Sequence, residues 1–200
     1  MSPYPPEIWT WENCKDDLKS IPGRLGFPHG DRLELLRFEV DLTNGTIIDQ
    51  ITQKTVDENL RKDRLTANTI FYALSAYSDS TEKKPTGKLI SSKQFRGAQF
   101  TQRDTLGERS KIAQHFTVIS ELKRVTTKLG GSRIEFPYGD IAVCLDLLPY
   151  IPLTIVLTLG DDEFPADVRL FYDETVENYF DSEQTYFLTN LAVSRIIQSA

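Results

Sequence analysis

The sequence predicts an α+β domain with a mostly antiparallel sheet, packed by three to four helices, and three observations carry that reading. Leu36, Phe38, Val40 and Leu42 alternate with Arg37, Glu39 and Asp41 just before Asn44-Gly45, the signature of an N-terminal hairpin. Residues 141–172 hold three apolar stretches joined by short connections, which reads as a C-terminal three-stranded meander. The remaining periodic segments repeat every three or four residues, as amphipathic helices do.

Taken in order, a short helix is expected from about Pro6 to Lys19, flanked by Trp9 and Trp11. Residues 21–28 read as loop, because their Pro and Gly oppose both helix and strand. The hairpin covers residues 36–52, with Ile47, Ile48 and Ile51 on the return strand and a type I′ turn at Asn44-Gly45. A helix follows from Arg64 to Tyr77. A longer one spans Leu106 to Leu129, where Ile112, Phe116, Ile119, Leu122, Val125 and Leu129 form one stripe and Gly130-Gly131 ends it. Ile141–Leu147, Leu153–Leu159 and Val168–Tyr172 are the meander strands; five residues between the first two are too few for a parallel crossover. Gln184 to Ile197 closes the chain as an apolar helix. With no repeat, linker or low-complexity tract, residues 1–200 are expected to form a single domain.

Composition bounds the function classes. The chain has 200 residues, 40% hydrophobic and 26% charged, which are values of a globular protein with a core. No signal sequence or membrane span is visible, so a soluble, cytoplasmic protein is the expectation. Two cysteines (Cys14 and Cys144) and two histidines (His29 and His115) are too few and too scattered for a structural zinc or iron–sulfur site; no metal and no cofactor is expected. Cys144 lies in an apolar run and reads as a core thiol. The net charge of −6 is uneven: residues 1–130 carry +3 and residues 131–200 carry −9. The acidic part repels nucleic acid and anionic membrane, so neither is expected as a partner. The two parts are expected to attract each other within the fold.

Residues 138–190 carry a recognisable pattern: Tyr138-Gly139-Asp140, Leu147-Leu148-Pro149, Ile151-Pro152-Leu153, Gly160-Asp161-Asp162-Glu163-Phe164-Pro165, Leu170-Phe171-Tyr172-Asp173, Tyr179 and Glu183. It resembles a bacterial and archaeal family, common in anaerobes, catalogued as domain of unknown function 3786. Pro85-Thr86-Gly87-Lys88 through Gly97 is similar to a further segment of that family. The resemblance implies kinship without chemistry. It also implies a setting in anaerobic metabolism, since some relatives stand beside iron–sulfur domains linked to corrinoid and one-carbon chemistry.

Four constellations bear on a functional reading. Asp161, Asp162 and Glu163 form an acidic loop of a kind that can gather hard cations, against the plainer reading of a capped hairpin tip with Phe164 packed back. Asp173 ends a strand; it is read either as the cap of a short helix through Glu177 or as a general base near the acidic loop. Lys83 to Arg103 holds six bases and no acid, with Lys88, Lys93 and Arg96 as candidate donors to a small anion. His115 with Ser91-Ser92 lacks a nucleophile elbow, so acyl transfer is not favoured. The leading expectation is a non-catalytic domain that binds a small anionic molecule or a partner protein. Its alternatives are a divalent-cation-dependent hydrolase or other enzyme using residues 160–165, and a structural interaction module.

Overall fold

The structure, a computed structural model, describes residues 5–96 and 102–200, with the side chains of 102–106 excepted. Among the described residues it has two antiparallel sheets and five α-helices. The smaller sheet is a meander of β1 (Arg32–Leu35), β2 (Phe38–Asp41), β3 (Ile47–Asp49) and β4 (Lys54–Thr55) in sequential order. The expected hairpin is its centre, with Val40 opposite Ile47. Its turn differs from a two-residue type I′. Only Gly45 of the pair has a positive φ, at 79°, and a longer loop is closed by the Asp41 and Asn44 side chains, which accept from the amides of Thr43 and Thr46. Gly45 is required here for a second reason: a Cβ would stand 2.2 Å from the Trp11 ring.

The true two-residue turn lies one strand earlier. Leu36 and Arg37 join β1 to β2 with φ of 51° and 63°. The alternation that begins at Leu36 in the sequence therefore starts in the turn. The adjacent pair Leu35-Leu36, both buried, is where the apolar period of two changes phase.

The larger sheet has the order β5-β9-β8-β7-β6, with β5 (Leu89–Ser91), β6 (Ser132–Ile134), β7 (Ile141–Leu148), β8 (Ile151–Thr158) and β9 (Asp167–Asp173). The three expected strands form its centre, and β7 pairs antiparallel with β8, interrupted by a bulge between Asp146 and Leu148. Ile141, Val143 and Leu145 of β7 and Leu153, Ile155 and Leu157 of β8 are all buried. The three-residue edges β5 and β6 are too short to leave a periodic signal.

The helices are α1 (Trp11–Lys19), α2 (Arg61–Ser78), α3 (Gln102–His115), α4 (Ile119–Lys128) and α5 (Ser182–Gln198). The expected helix 106–129 is thus two. Val118 at the break is extended, with φ −130° and ψ 125°, and the β-branched run Thr117-Val118-Ile119 opposes helix there. The buried stripe continues across the break through Phe116 and Leu122, which is why it reads as one helix. The buried apolar side chains form one connected cluster from Cys14 to Ile196. No helix among the described residues is long and apolar enough to cross a membrane.

Candidate functional site

α5 begins with a reciprocal cap, Asp181 accepting from the Gln184 amide at 2.8 Å and Gln184 accepting from the Asp181 amide at 2.9 Å. Its last turn carries one cation, Arg195, only 4% exposed, among Ala192, Val193 and Ile196. Arg195 reaches into the small sheet. Its Nη1 donates to Asp49 Oδ2 at 2.8 Å, and its Nη2 makes a short bond to Asp49 Oδ1, giving a bidentate pair. Nε donates to the Leu36 carbonyl at 3.1 Å and Nη2 to the Arg37 carbonyl at 3.3 Å. The guanidinium also lies 4.2 Å from the Phe38 ring centroid. One side chain from the C-terminal helix thus holds both carbonyls of the left-handed Leu36-Arg37 turn, a conformation costing about 1–2 kcal/mol for each non-glycine residue. Burial alone would raise the Asp49 carboxyl. The Arg195 bonds and the amides of Ile51 and Thr52 outweigh it and hold the group well below the usual carboxylate range.

Above this pair opens a groove of about 320 Å³ between β3–β4, the chain leading into α2, and the end of α5. Arg195 and Asp49 form its floor, while Lys54, Lys62, Asp57 and Asp63 stand on its walls. Asp63 accepts from the Asp57 amide at 3.1 Å, and Asp57 accepts from the Asn59 amide at 3.0 Å, so each spends one oxygen on local backbone. A crevice of about 30 Å³ adjoins the groove between α2 and α5, walled by Phe38, Thr69, Phe187 and Leu191, with Arg195 and Lys62 shared by both spaces. None of these residues stood out in sequence. The one available signal was Arg195 itself, a lone cation in an apolar helix, which implies a buried partner.

The structure brings together another set of residues singled out in sequence. Asp173, only 2% exposed, accepts from the Gly87 amide at 2.6 Å and from Thr86 Oγ1 at 3.4 Å. It also caps the 3-10 helix Glu174–Asn178, accepting from the Thr175 amide at 3.0 Å and hydroxyl at 2.8 Å. Burial pushes its carboxyl up, and these donors more than reverse that, leaving it below the usual range. Beside it Lys88 pairs with Glu174 at 2.7 Å on the exposed surface. The Arg96 amide donates to Glu177 at 2.6 Å, and the Tyr179 hydroxyl binds both the amide and the carbonyl of Lys83. The basic segment is therefore fastened along residues 173–179 mainly through its backbone, with Lys88–Glu174 the one charge pair among these contacts. The side chains of Lys93 and Arg96 are exposed. Gly97, Phe100 and the Arg103 side chain lie outside the described residues.

The acidic loop is elsewhere. It precedes Asp167, whereas Asp173 ends the same strand, so β9 separates them by roughly 20 Å at about 3.3 Å per residue. Asp161 Oδ1 accepts from the amides of Glu163 at 2.9 Å and Phe164 at 2.7 Å, which lowers its carboxyl pKa. The loop is thus a self-capped turn, as the plainer reading had it, but Phe164 does not pack back: it is 67% exposed. Among the described residues no three His, Cys, Asp or Glu side chains gather as a metal-binding group. Asp140 takes a fastening role too, accepting from the Leu159 amide at 2.7 Å, and a Cβ on Gly139 would stand 2.5 Å from Val156 Cγ1. Several of the residues that carry the family pattern thus close turns and strand ends. Cys14 is buried and its thiol is pushed up to about 11, first by burial and then by the Asp17 charge. Cys144 is half-buried at the outer side of β7, its thiol raised chiefly by burial.

A family model described as Domain of unknown function (DUF3786) matches residues 17–195. Comparison with curated proteins and with solved structures returned no match.

Proposed function

The chain belongs to the family of domain of unknown function 3786, and from that premise we propose that it is a non-catalytic domain that binds a small polar molecule in the groove above Arg195 and Asp49. The observation that carries this reading is the groove's floor. A cavity of about 320 Å³ is at the lower end of the range for small-ligand sites. Here it is floored by a bidentate ion pair already fixed by two backbone carbonyls, so its polar groups are oriented before any ligand arrives. Two long helices, of 18 and 17 residues, supply the walls on one side. An accessory role in anaerobic metabolism is part of this proposal and rests on the sequence resemblance alone.

The test combines native mass spectrometry of freshly purified protein with a thermal-shift titration using a small-molecule cell extract. A retained species, or a rise in Tm with the extract, that Thr66→Phe abolishes by filling the groove supports the site. No retained species and no shift would remove it.

The exposed basic segment is the second seat for an anionic ligand. Among the described residues no ion pair engages Lys93 or Arg96, while Lys88 is held by Glu174. Retention lost in Arg96→Ala and Lys88→Ala, with Thr66→Phe unaffected, would move the site there. The enzyme alternative rests on a divalent cation at Asp161, Asp162 and Glu163. Calorimetry showing magnesium or calcium binding that Asp162→Ala abolishes would promote it. A protein partner in place of a small molecule is the other form of the leading reading, and a structural interaction module is the separate alternative left if neither is found.

A further inference from the structure

Resting on the groove as the binding site, we infer that its ligand is a small zwitterion of the α-amino-acid type, with a compact apolar side group. The charges of the floor cancel each other, because Arg195 is spent on Asp49. What faces a ligand is the wall: Lys54 and Lys62 of one sign, Asp57 and Asp63 of the other. Among the described residues no ion pair joins these four to each other or to any other group. Each aspartate uses one oxygen on a backbone amide and keeps the other. A simple anion brought into this space gains two ammonium groups and is repelled by two carboxylates; a simple amine meets the reverse. A molecule carrying both signs a few ångströms apart complements both pairs, and this is selection by repulsion as much as by attraction.

The adjoining crevice sets the rest of the molecule. Its space of about 30 Å³ is room for about two atoms of methyl size, since one water-sized sphere needs roughly 10–15 Å³. Phe38, Phe187 and Leu191 supply the apolar part of a mixed lining that also holds Thr69 and Ser194, and Arg195 marks the junction with the charged groove. A head group in the groove therefore places a short aliphatic side group against the two rings. An indole or phenyl group does not fit that space.

The experiment measures calorimetric affinity and thermal shift with glycine, L-alanine, L-valine and L-tryptophan. Propionate serves as the anion-only control, propylamine as the cation-only control, and the small-molecule extract as the broad probe. Alanine or valine is expected to bind, with tryptophan and both single-charge controls at least about ten-fold weaker. Lys62→Met and Asp63→Asn are each expected to weaken binding about ten-fold at unchanged Tm. Leu191→Phe, which fills the crevice, should remove the preference for valine over glycine while leaving glycine bound. Propionate or propylamine binding as well as alanine would overturn the inference. A shift with the extract but with none of the zwitterions would overturn it while leaving the groove as a site. No shift with any of them would remove the groove reading itself.

Discussion

Asp49 and Asp173 are both carboxylates held mostly out of water and below their usual pKa, yet they are held by different donors and do different work. Asp173 is gripped by the amides of Gly87 and Thr175 and by two threonine hydroxyls. Those amides are fixed once the loop and the 3-10 helix form, so the carboxylate acts as a fastener between sequence-distant segments. Asp49 is gripped mainly by a guanidinium arriving from 146 residues away. That bond ties the last helix to the small sheet and leaves a charged floor beneath an open groove. A carboxylate closed in by backbone amides has nothing left to offer a ligand. A side-chain ion pair beneath a cavity leaves the charged side chains on the walls to meet one.

The largest effect that can break this comparison is expected at Arg195. Arg195→Ala leaves Asp49 without its main partner, and strips both carbonyls of the left-handed turn of their guanidinium donor. A loss of about 3–5 kcal/mol is expected in chemical denaturation, the size of breaking a buried pair. The double variant with Asp49→Ala should lose less than the sum of the single variants, with a coupling above about 1 kcal/mol. Additivity would show that the two side chains act independently.

Asp173→Asn comes next. The amide keeps the shape but loses the charge and presents a donor where N–H groups point, so about 1–3 kcal/mol is expected at neutral pH. Its pH dependence sharpens the point. The folded pKa lies below the unfolded value of about 3.9, so the wild-type contribution is full above that value and is lost as pH falls through the folded pKa. Stability measured from pH 6 down to pH 2 should therefore fall less steeply in Asp173→Asn than in the parent chain. Parallel curves would mean that the donors around Asp173 do not favour its charged form.

The smallest effects are expected where the surface is already wet. Lys88→Ala removes the exposed pair with Glu174 and should leave Tm unchanged within error. Phe164→Ser, at a side chain 67% exposed, should do the same. A clear fall in Tm for Lys88→Ala would make the basic segment's own charges, rather than Asp173 beneath them, the fastener.

The hairpin and the meander were legible because their information is local: alternation, a Gly-containing turn and connections too short to cross over. The Leu36-Arg37 turn was not, since neither residue favours a left-handed conformation and only the fold supplies the Arg195 donors that hold it. The division of residues 106–129 into α3 and α4 was hidden because one buried stripe serves both helices. The cap at Asp173 was readable from Asp-Glu-Thr after a strand, but its grip on Gly87 was not, being a contact across 86 residues. The groove was illegible for the same reason. Asp49, Lys62 and Arg195 come from three elements, and each is unremarked until the chain folds.

Cys14 gives a further consequence. It is the thiol of α1, buried against the rest of the core, and its raised pKa leaves it protonated at neutral pH. A maleimide or disulfide reagent therefore reaches it only when α1 lifts away from α2. Its labelling rate is a clock for that opening, readable in the unmodified chain, while half-buried Cys144 reports on the larger sheet. Two chemically identical groups thus time the loosening of two different parts of the molecule.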